Sequence, residues 1–397
     1  MMGKTINYFF KKEYFLLGIV FITFINPFFY GYRIAILFIL YIFFKIKYFY
    51  PIVDRSLFYL FFFSLSYEFI QLSNVNVVEK NIISILLNIF IPSVLYLIGK
   101  YISTYYPSTQ IILFFLFFIA FFFSIVPMIS ILMQISNNGF IVGTRSMYLI
   151  WDKNILINAT GLGSFFLLNM VAIGIINIKK ELIVEKWINR GVVALFIFSF
   201  ICVLRLGSRT QLVVASLSLL LSYLLNLRKQ SLLKNIFLLI IFTGIIYFIV
   251  NNINEESTIM KFYADRMDNN EFGLETAGGR TERWVHSIEA ILTNPWGWEF
   301  SRYGYAHNLW LDVARVSGII PFLILILFTI SSIKSFILSL KALRNNLFIR
   351  IYILVYFLGF YALFFVEPVM EGVYLLFLLF CVFTGLISGL RYKNIKP

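Results

Sequence analysis

The chain is built on long apolar runs, of which IILFFLFFIAFFFSIVPMISILM (111–133) is the plainest. A helix rising about 1.5 Å per residue needs roughly 20 such residues to cross a hydrocarbon layer some 30 Å thick. Inside that layer every backbone N–H and C=O must pair within the chain, so runs of this length dictate membrane-spanning helices. A transmembrane barrel requires short alternating segments instead. Composition agrees, at 60% hydrophobic and only 13% charged residues, with a mean hydropathy of +0.88. The expected fold class is an all-α integral membrane protein.

Reading the runs in order gives about twelve helices, near 14–31, 34–49, 56–72, 82–99, 111–134, 159–177, 191–206, 210–226, 235–251, 307–330, 347–366 and 373–390. Basic residues precede the first run and no small-residue cleavage site follows it, which predicts a retained anchor and a cytoplasmic N-terminus. With twelve spans the C-terminus is cytoplasmic too. The net charge of +14 could suggest nucleic acid. On this arrangement, however, most Lys and Arg fall on the cytoplasmic side, including Lys45 with Lys47, Lys179 with Lys180, and Arg228 with Lys229. The positive-inside rule accounts for them, and no nucleic-acid partner is expected. Cys202 and Cys381 sit within apolar runs and read as core residues. No repeat or low-complexity linker divides the chain, so residues 1–397 form a single polytopic domain.

One stretch interrupts this pattern, the polar segment 252–306 on the outer side. It holds nine acidic residues against five basic ones, although the protein as a whole is basic. Its arginines, Arg280 and Arg283 among them, are therefore individual placements in an acidic loop. Both histidines of the chain lie in or beside its second half, GGRTERWVHSIEAILTNPWGWEFSRYGYAHN (278–308). Gly278 and Gly279 at one end and Asn294-Pro295 at the other bound a short helix, on which Arg280, Trp284 and Ser287 share a face. Trp284, Ile288 and Ile291 equally suit a helix lying on the membrane surface.

Two further elements carry polar groups to the same surface. In LRLGSRTQL (204–212), Arg205 and Arg209 flank a turn between apolar runs. An arginine near hydrocarbon costs about 2.5–3.5 kcal/mol and so faces a cavity, a ligand or the headgroups. In AHNLWLDVARVSG (306–318), His307 and Asn308 open a helix on which Asn308, Asp312 and Arg315 form one stripe, Asp312 and Arg315 being spaced to pair. An imidazole is the usual proton acceptor at physiological pH, which singles out His307. His286 has no spacing that suggests metal binding, and Asp265, Asp268 and Glu271 lack the glycine and closing glutamate of a calcium loop.

Taken in succession, GSRT at a helix turn, a large outer loop with Arg280 and Trp284, Asn294-Pro295 followed by Gly297, and His307-Asn308 with Gly318 eleven positions on resemble the O-antigen polymerase and ligase superfamily. The resemblance rests on residues 207–318, roughly the middle third. It implies a bacterial inner-membrane enzyme that transfers glycan at the periplasmic face from an undecaprenyl-diphosphate-linked donor to a hydroxyl of the acceptor, with inversion and with no cofactor or metal. The family's functional arginines carry over to Arg209 and Arg280 as diphosphate ligands, and its essential histidine to His307. Arg205, Arg283, Asn308, Asp312 and Arg315 stand as possible supporting residues. Implied partners are lipid-linked donor and acceptor oligosaccharides, membrane lipid and a chain-length regulator. Two departures from the family pattern are Trp296-Gly297-Trp298, where Gly-x-Gly is common, and Val316, where many members have an acidic residue. A polymerase is the first reading and a ligase that moves polymer onto lipid A-core the second. A lipid-linked-oligosaccharide flippase is the third, although transporters place their polar sites at the midplane.

Overall fold

The computed structural model describes residues 2–26, 31–34, 36–73, 82–140, 146–226, 236 and 280–390. Apart from one hairpin and the connecting turns, these residues are helical. The first half comprises α1 (Met2–Ile25), the short pieces α2 (Gly31–Ile34), α3 (Ile36–Phe44) and α4 (Ile46–Phe49), then α5 (Arg55–Ser73), α6 (Ile82–Tyr105) and α7 (Thr109–Asn138). After the hairpin come α8 (Ala159–Ser164), α9 (Leu167–Ala172), α10 (Ile183–Leu206) and α11 (Arg209–Asn226). The last third holds α12 (Arg280–Thr293), α13 (Phe300–Tyr303), α14 (Leu309–Ser317), α15 (Ile319–Ala342), α16 (Leu347–Phe364), α17 (Val369–Gly372) and α18 (Tyr374–Leu390). Among the described residues five helices are long and apolar enough to cross a membrane, namely α6, α7, α10, α15 and α16. The protein is an all-α membrane protein with several spans.

Several boundaries differ from the sequence expectation, each for a local reason. The expected helix 34–49 is divided, α3 ending before Lys45 and α4 following it. The expected helix 159–177 is broken at Phe165–Phe166 and tightens to a 3₁₀ turn over Ile173–Ile175. Helix α10 starts at Ile183 instead of 191, because the Glu185 carboxylate accepts the N–H groups of Glu181 and Leu182 and caps a turn whose charges conceal it from a hydropathy reading. The expected helix 235–251 and most of the outer loop lie outside the described residues.

The largest departure is at 307–330, which is two helices. At Gly318 the backbone adopts φ +78°, ψ −168°, a conformation essentially confined to glycine. There Ile319 N donates to Pro295 O (2.8 Å) instead of continuing the α14 ladder. The chain then enters the span α15, and α14, nine residues long, is not itself one of the candidate spans.

Packing is closest between α6 and α18. A Cβ at Gly385 would stand 1.9 Å from Tyr96 O, and one at Gly99 would stand 2.0 Å from Val382 O, so the glycines let two backbones touch where lipid offers no hydrophobic force between helices. Two largely buried carboxylates have several partners each. Glu13 accepts from Tyr41, Tyr101, Tyr106 and Lys45, and Asp54 accepts from Lys100, Tyr96 and Ser388. Cys202 and Cys381 are buried and free, as their setting in apolar runs predicts.

The hairpin pairs β1 (Met147–Leu149) with β2 (Asp152–Ile157) antiparallel, with an irregularity between Tyr148 and Leu149. Ile150 N donates to Ser130 Oγ of α7, and Met147 and Leu149 join the core cluster that holds Leu162, Phe166 and Leu206. The hairpin therefore sits at the end of the bundle where α7 and α10 stop and α11 starts.

Candidate functional site

The connector between α12 and α14 is held by Asp312. Its Oδ1 accepts from Ala306 N at 2.8 Å and its Oδ2 from Asn308 N at 3.0 Å, so one carboxylate brackets His307. Asn308 caps α14, its Oδ1 accepting from Trp310 N and Leu311 N. Between these anchors His307 adopts φ +51°, a left-handed conformation that costs a non-glycine residue roughly 1–2 kcal/mol. Such strain persists only where the surroundings over-determine it, and it gathers at functional sites.

The carboxylate that does this is itself buried, with Asp312 only 2% exposed. Burial pushes its pKa up to about 6, although the N–H groups of Asn308 and Ala306 and the Arg315 guanidinium pull the other way. The spacing of Asp312 and Arg315 predicts a pair, but Arg315 hydrogen-bonds Glu371 of α17 instead and lies 5.4 Å from the ring centres of both Phe300 and Tyr305. The reason is geometric. Asp312 is drawn back toward the two N–H groups preceding its helix, which leaves Arg315 to find the acid of another element.

Helix α12 forms where the breakers predict it and docks on α14 through Ile291, Ala306, Leu311 and Ala314. Trp284 Nε1 donates to Ala306 O at 2.8 Å, one residue from His307. Arg280 stands one turn earlier, about 6 Å of helical rise from Trp284. Arg280 and Arg283 are half-buried, and Ser287 is buried on the inward face as its spacing predicts. Val285, Ile288 and Leu292 form an exposed apolar face, the composition expected at a membrane surface. Past α12 the turn Asn294–Gly297 closes by Gly297 N donating to Asn294 O, and Trp298 N donates to Arg315 O at 2.9 Å. Gly297 has φ +107°, and a Cβ there would meet Arg315 O at 2.6 Å. The single glycine of Trp296-Gly297-Trp298 thus supplies the turn. Val316 is half-buried and packs against the main core.

The Arg209 turn lies at the same end. Gly207, at φ +63°, ends α10, and Arg209 begins α11 half-buried and without an ion pair among the described residues. Arg205 does not reach out toward headgroups. It is 3% exposed and donates to Gln134 of α7 at 3.4 Å. A Cβ at Gly163 would touch Ser208 and Gln211, and one at Gly161 would be 3.7 Å from Val373, so α8 bridges the Arg209 turn and the connector that bears Glu367 and Glu371. An apolar groove of about 460 Å³ runs between α9, α11 and α16, lined by Val214, Leu217, Leu221, Leu358 and Ala362. Its Phe365 end abuts Trp310 of α14.

The structure also brings in two residues not singled out from the sequence, Glu367 and Glu371. His307 Nδ1 and Glu367 Oε2 are 3.9 Å apart. Two acids in a short connector between apolar runs, FVEPVMEG (365–372), were the available signal, since a carboxylate near hydrocarbon marks function or a partner. By contrast His286 is half-exposed and stands 3.5 Å from Glu289 on its own helix.

A multi-pass helical membrane protein with a strained histidine, buried carboxylates and arginines without an ion pair among the described residues, gathered at one end of the bundle, is what these observations define. Residues 194–326, about a third of the chain, match the model of the O-antigen ligase family, consistent with the O-antigen polymerase and ligase superfamily that its motifs resemble. Members are membrane enzymes of the glycosyltransferase or ligase type. Comparison with curated proteins gives no match. The matched segment spans Arg205, Arg209, Arg280, His307, Asp312 and Arg315 and stops short of Glu367.

Proposed function

We propose that the protein is an O-antigen polymerase that joins undecaprenyl-diphosphate-linked units at the periplasmic face of the bacterial inner membrane. The arrangement around His307 carries this reading: a strained imidazole with an accessible edge, bracketed by Asp312 and joined to the arginine-bearing helix through Trp284. In the step, an acceptor hydroxyl oxygen attacks the anomeric carbon of the donor and the carbon–oxygen bond to the diphosphate breaks. The hydroxyl proton passes to His307, and the lipid diphosphate leaves. Arg209 and Arg280, planar and permanently charged, neutralise the leaving group. The groove beside α11 has the apolar walls a polyprenyl chain requires, and it starts from the helix that Arg209 opens. On this reading twelve spans put both termini in the cytoplasm and the 252–306 loop in the periplasm.

The test is substitution in cells that make the polymer. His307→Ala and Arg280→Ala each abolish chain extension while the protein still inserts, and His286→Ala keeps it. Normal polymer length in the first two variants overturns the reading. The family description favours a second reading, a ligase that passes finished polymer to lipid A-core. Deletion separates the two, a polymerase leaving core with one repeat unit and a ligase leaving bare core with polymer stranded on carrier lipid.

A further inference from the structure

We infer that Glu367 is the positioning residue for His307, accepting a hydrogen bond from Nδ1 and so leaving Nε2 bare toward the acceptor hydroxyl. The inference rests on the reading above for the role of Nε2, but the geometry stands by itself. His307 Nδ1 and Glu367 Oε2 are both buried atoms, and neither has a hydrogen-bond partner among the described residues. They are 3.9 Å apart, and a buried polar atom left unsatisfied loses the hydrogen bonds it would make in water. Two such atoms facing each other relieve both costs by a small approach, and catalytic hydrogen bonds are commonly long until substrate binds.

The remaining edge of the ring supplies the second half of the argument. The His307 side chain is 28% exposed although its Nδ1 is buried. Among the described residues Nε2 makes no hydrogen bond, and unlike Nδ1 it is not a buried atom, so that edge of the ring is open. A carboxylate on Nδ1 fixes the proton there, and a neutral imidazole with Nδ1–H has a lone pair on Nε2. The other charged groups near the ring are committed elsewhere. Asp312 accepts from Ala306 N and Asn308 N, and Arg315 holds Glu371. Glu68, reaching in from α5, accepts from Asn88. Tyr305 stands edge-on at 6.0 Å and presents its ring. Among the described residues Glu367 alone has a free oxygen facing Nδ1.

The experiment uses the two-histidine composition of the chain. Full-length protein carrying His286→Asn and labelled with ¹⁵N-histidine shows one imidazole, that of His307. At a pH where the ring is neutral, its shifts are expected to report the Nδ1–H form, and Glu367→Gln is expected to remove that single-tautomer signature. Glu367→Gln is also expected to lower kcat at least about 100-fold with KM for the lipid-linked unit changed less than threefold, and Glu367→Asp to recover part of the loss. An Nε2–H signature in the parent protein, or a Glu367→Gln variant with parental tautomer and kcat, overturns the inference. Should His307→Ala remain active while the Nδ1–H signature is present, the polymerase reading fails and the positioning contact stands as a structural one. Size-exclusion of each variant in detergent identifies misfolded protein, for which Glu367→Asp supplies the tautomer measurement.

Discussion

His307 is held in a backbone conformation that glycine adopts freely and histidine does not, and the structure spends Asp312 on keeping it there. His307→Gly is therefore expected to abolish transfer while leaving thermal stability equal or raised by up to about 1 kcal/mol, an exchange typical of strained functional positions. Thermal unfolding of the detergent-solubilised variant checks it, and a clear loss of stability argues against the strain. Asp312 makes a second prediction. Its folded carboxyl keeps a proton up to about 6, whereas the unfolded chain releases it near ~4. The native state binds more protons between those values, so this group's contribution to stability falls as pH rises through the window. Asp312→Asn is expected to flatten that slope in unfolding midpoints measured across the range, and an unchanged slope places the titration elsewhere. The sequence marked His307, Asn308, Asp312 and Arg315 because polar residues at helical spacing beside an apolar run are conspicuous. It paired Asp312 with Arg315 because spacing along one helix is visible in a sequence, whereas the backbone N–H groups that claimed Asp312 and the distant Glu371 that claimed Arg315 are not.

At the scale of elements, the site depends on two helices meeting across a tight junction. Gly318 and the Asn294–Gly297 turn interlock so closely that a Cβ at Gly318 would stand 2.3 Å from Pro295 O. Gly304 also has positive φ, but nothing lies within 4 Å of its Cβ position. Gly304→Ala therefore suffers conformational strain alone, on the order of 1–3 kcal/mol, while Gly318→Ala adds a collision with backbone. The expected order in unfolding midpoints is wild type, then Gly304→Ala, then Gly318→Ala, with transfer lost in the last. Equal losses remove the junction from the argument. Sequence periodicity located α12 well, since glycines and Asn-Pro bound it. It merged α14 with α15 because an amphipathic turn running into an apolar run reads as one helix when the break needs only a glycine. The hairpin at 147–157 escaped notice because its short strands adjoin apolar helices.

For the whole molecule, hydrocarbon-length runs made the fold class legible. What packs on what was not legible, because lipid-facing and protein-facing residues are equally apolar and only small residues betray a contact. The α6–α18 interface shows this in Gly99 and Gly385. Gly385→Leu is expected to force these helices apart, costing about 1–3 kcal/mol or more and lowering the yield of folded protein in detergent, although it touches no polar group of the site. Normal yield and stability would mean the two backbones are not in contact. The carboxylate facing His307 belongs to the connector that leads into α18, beyond the segment that matches the O-antigen ligase family. Exchanging that segment alone between two such proteins should therefore yield hybrids with every recognisable motif and a misdirected base, and activity should follow the exchange only when the connector bearing Glu367 travels with it.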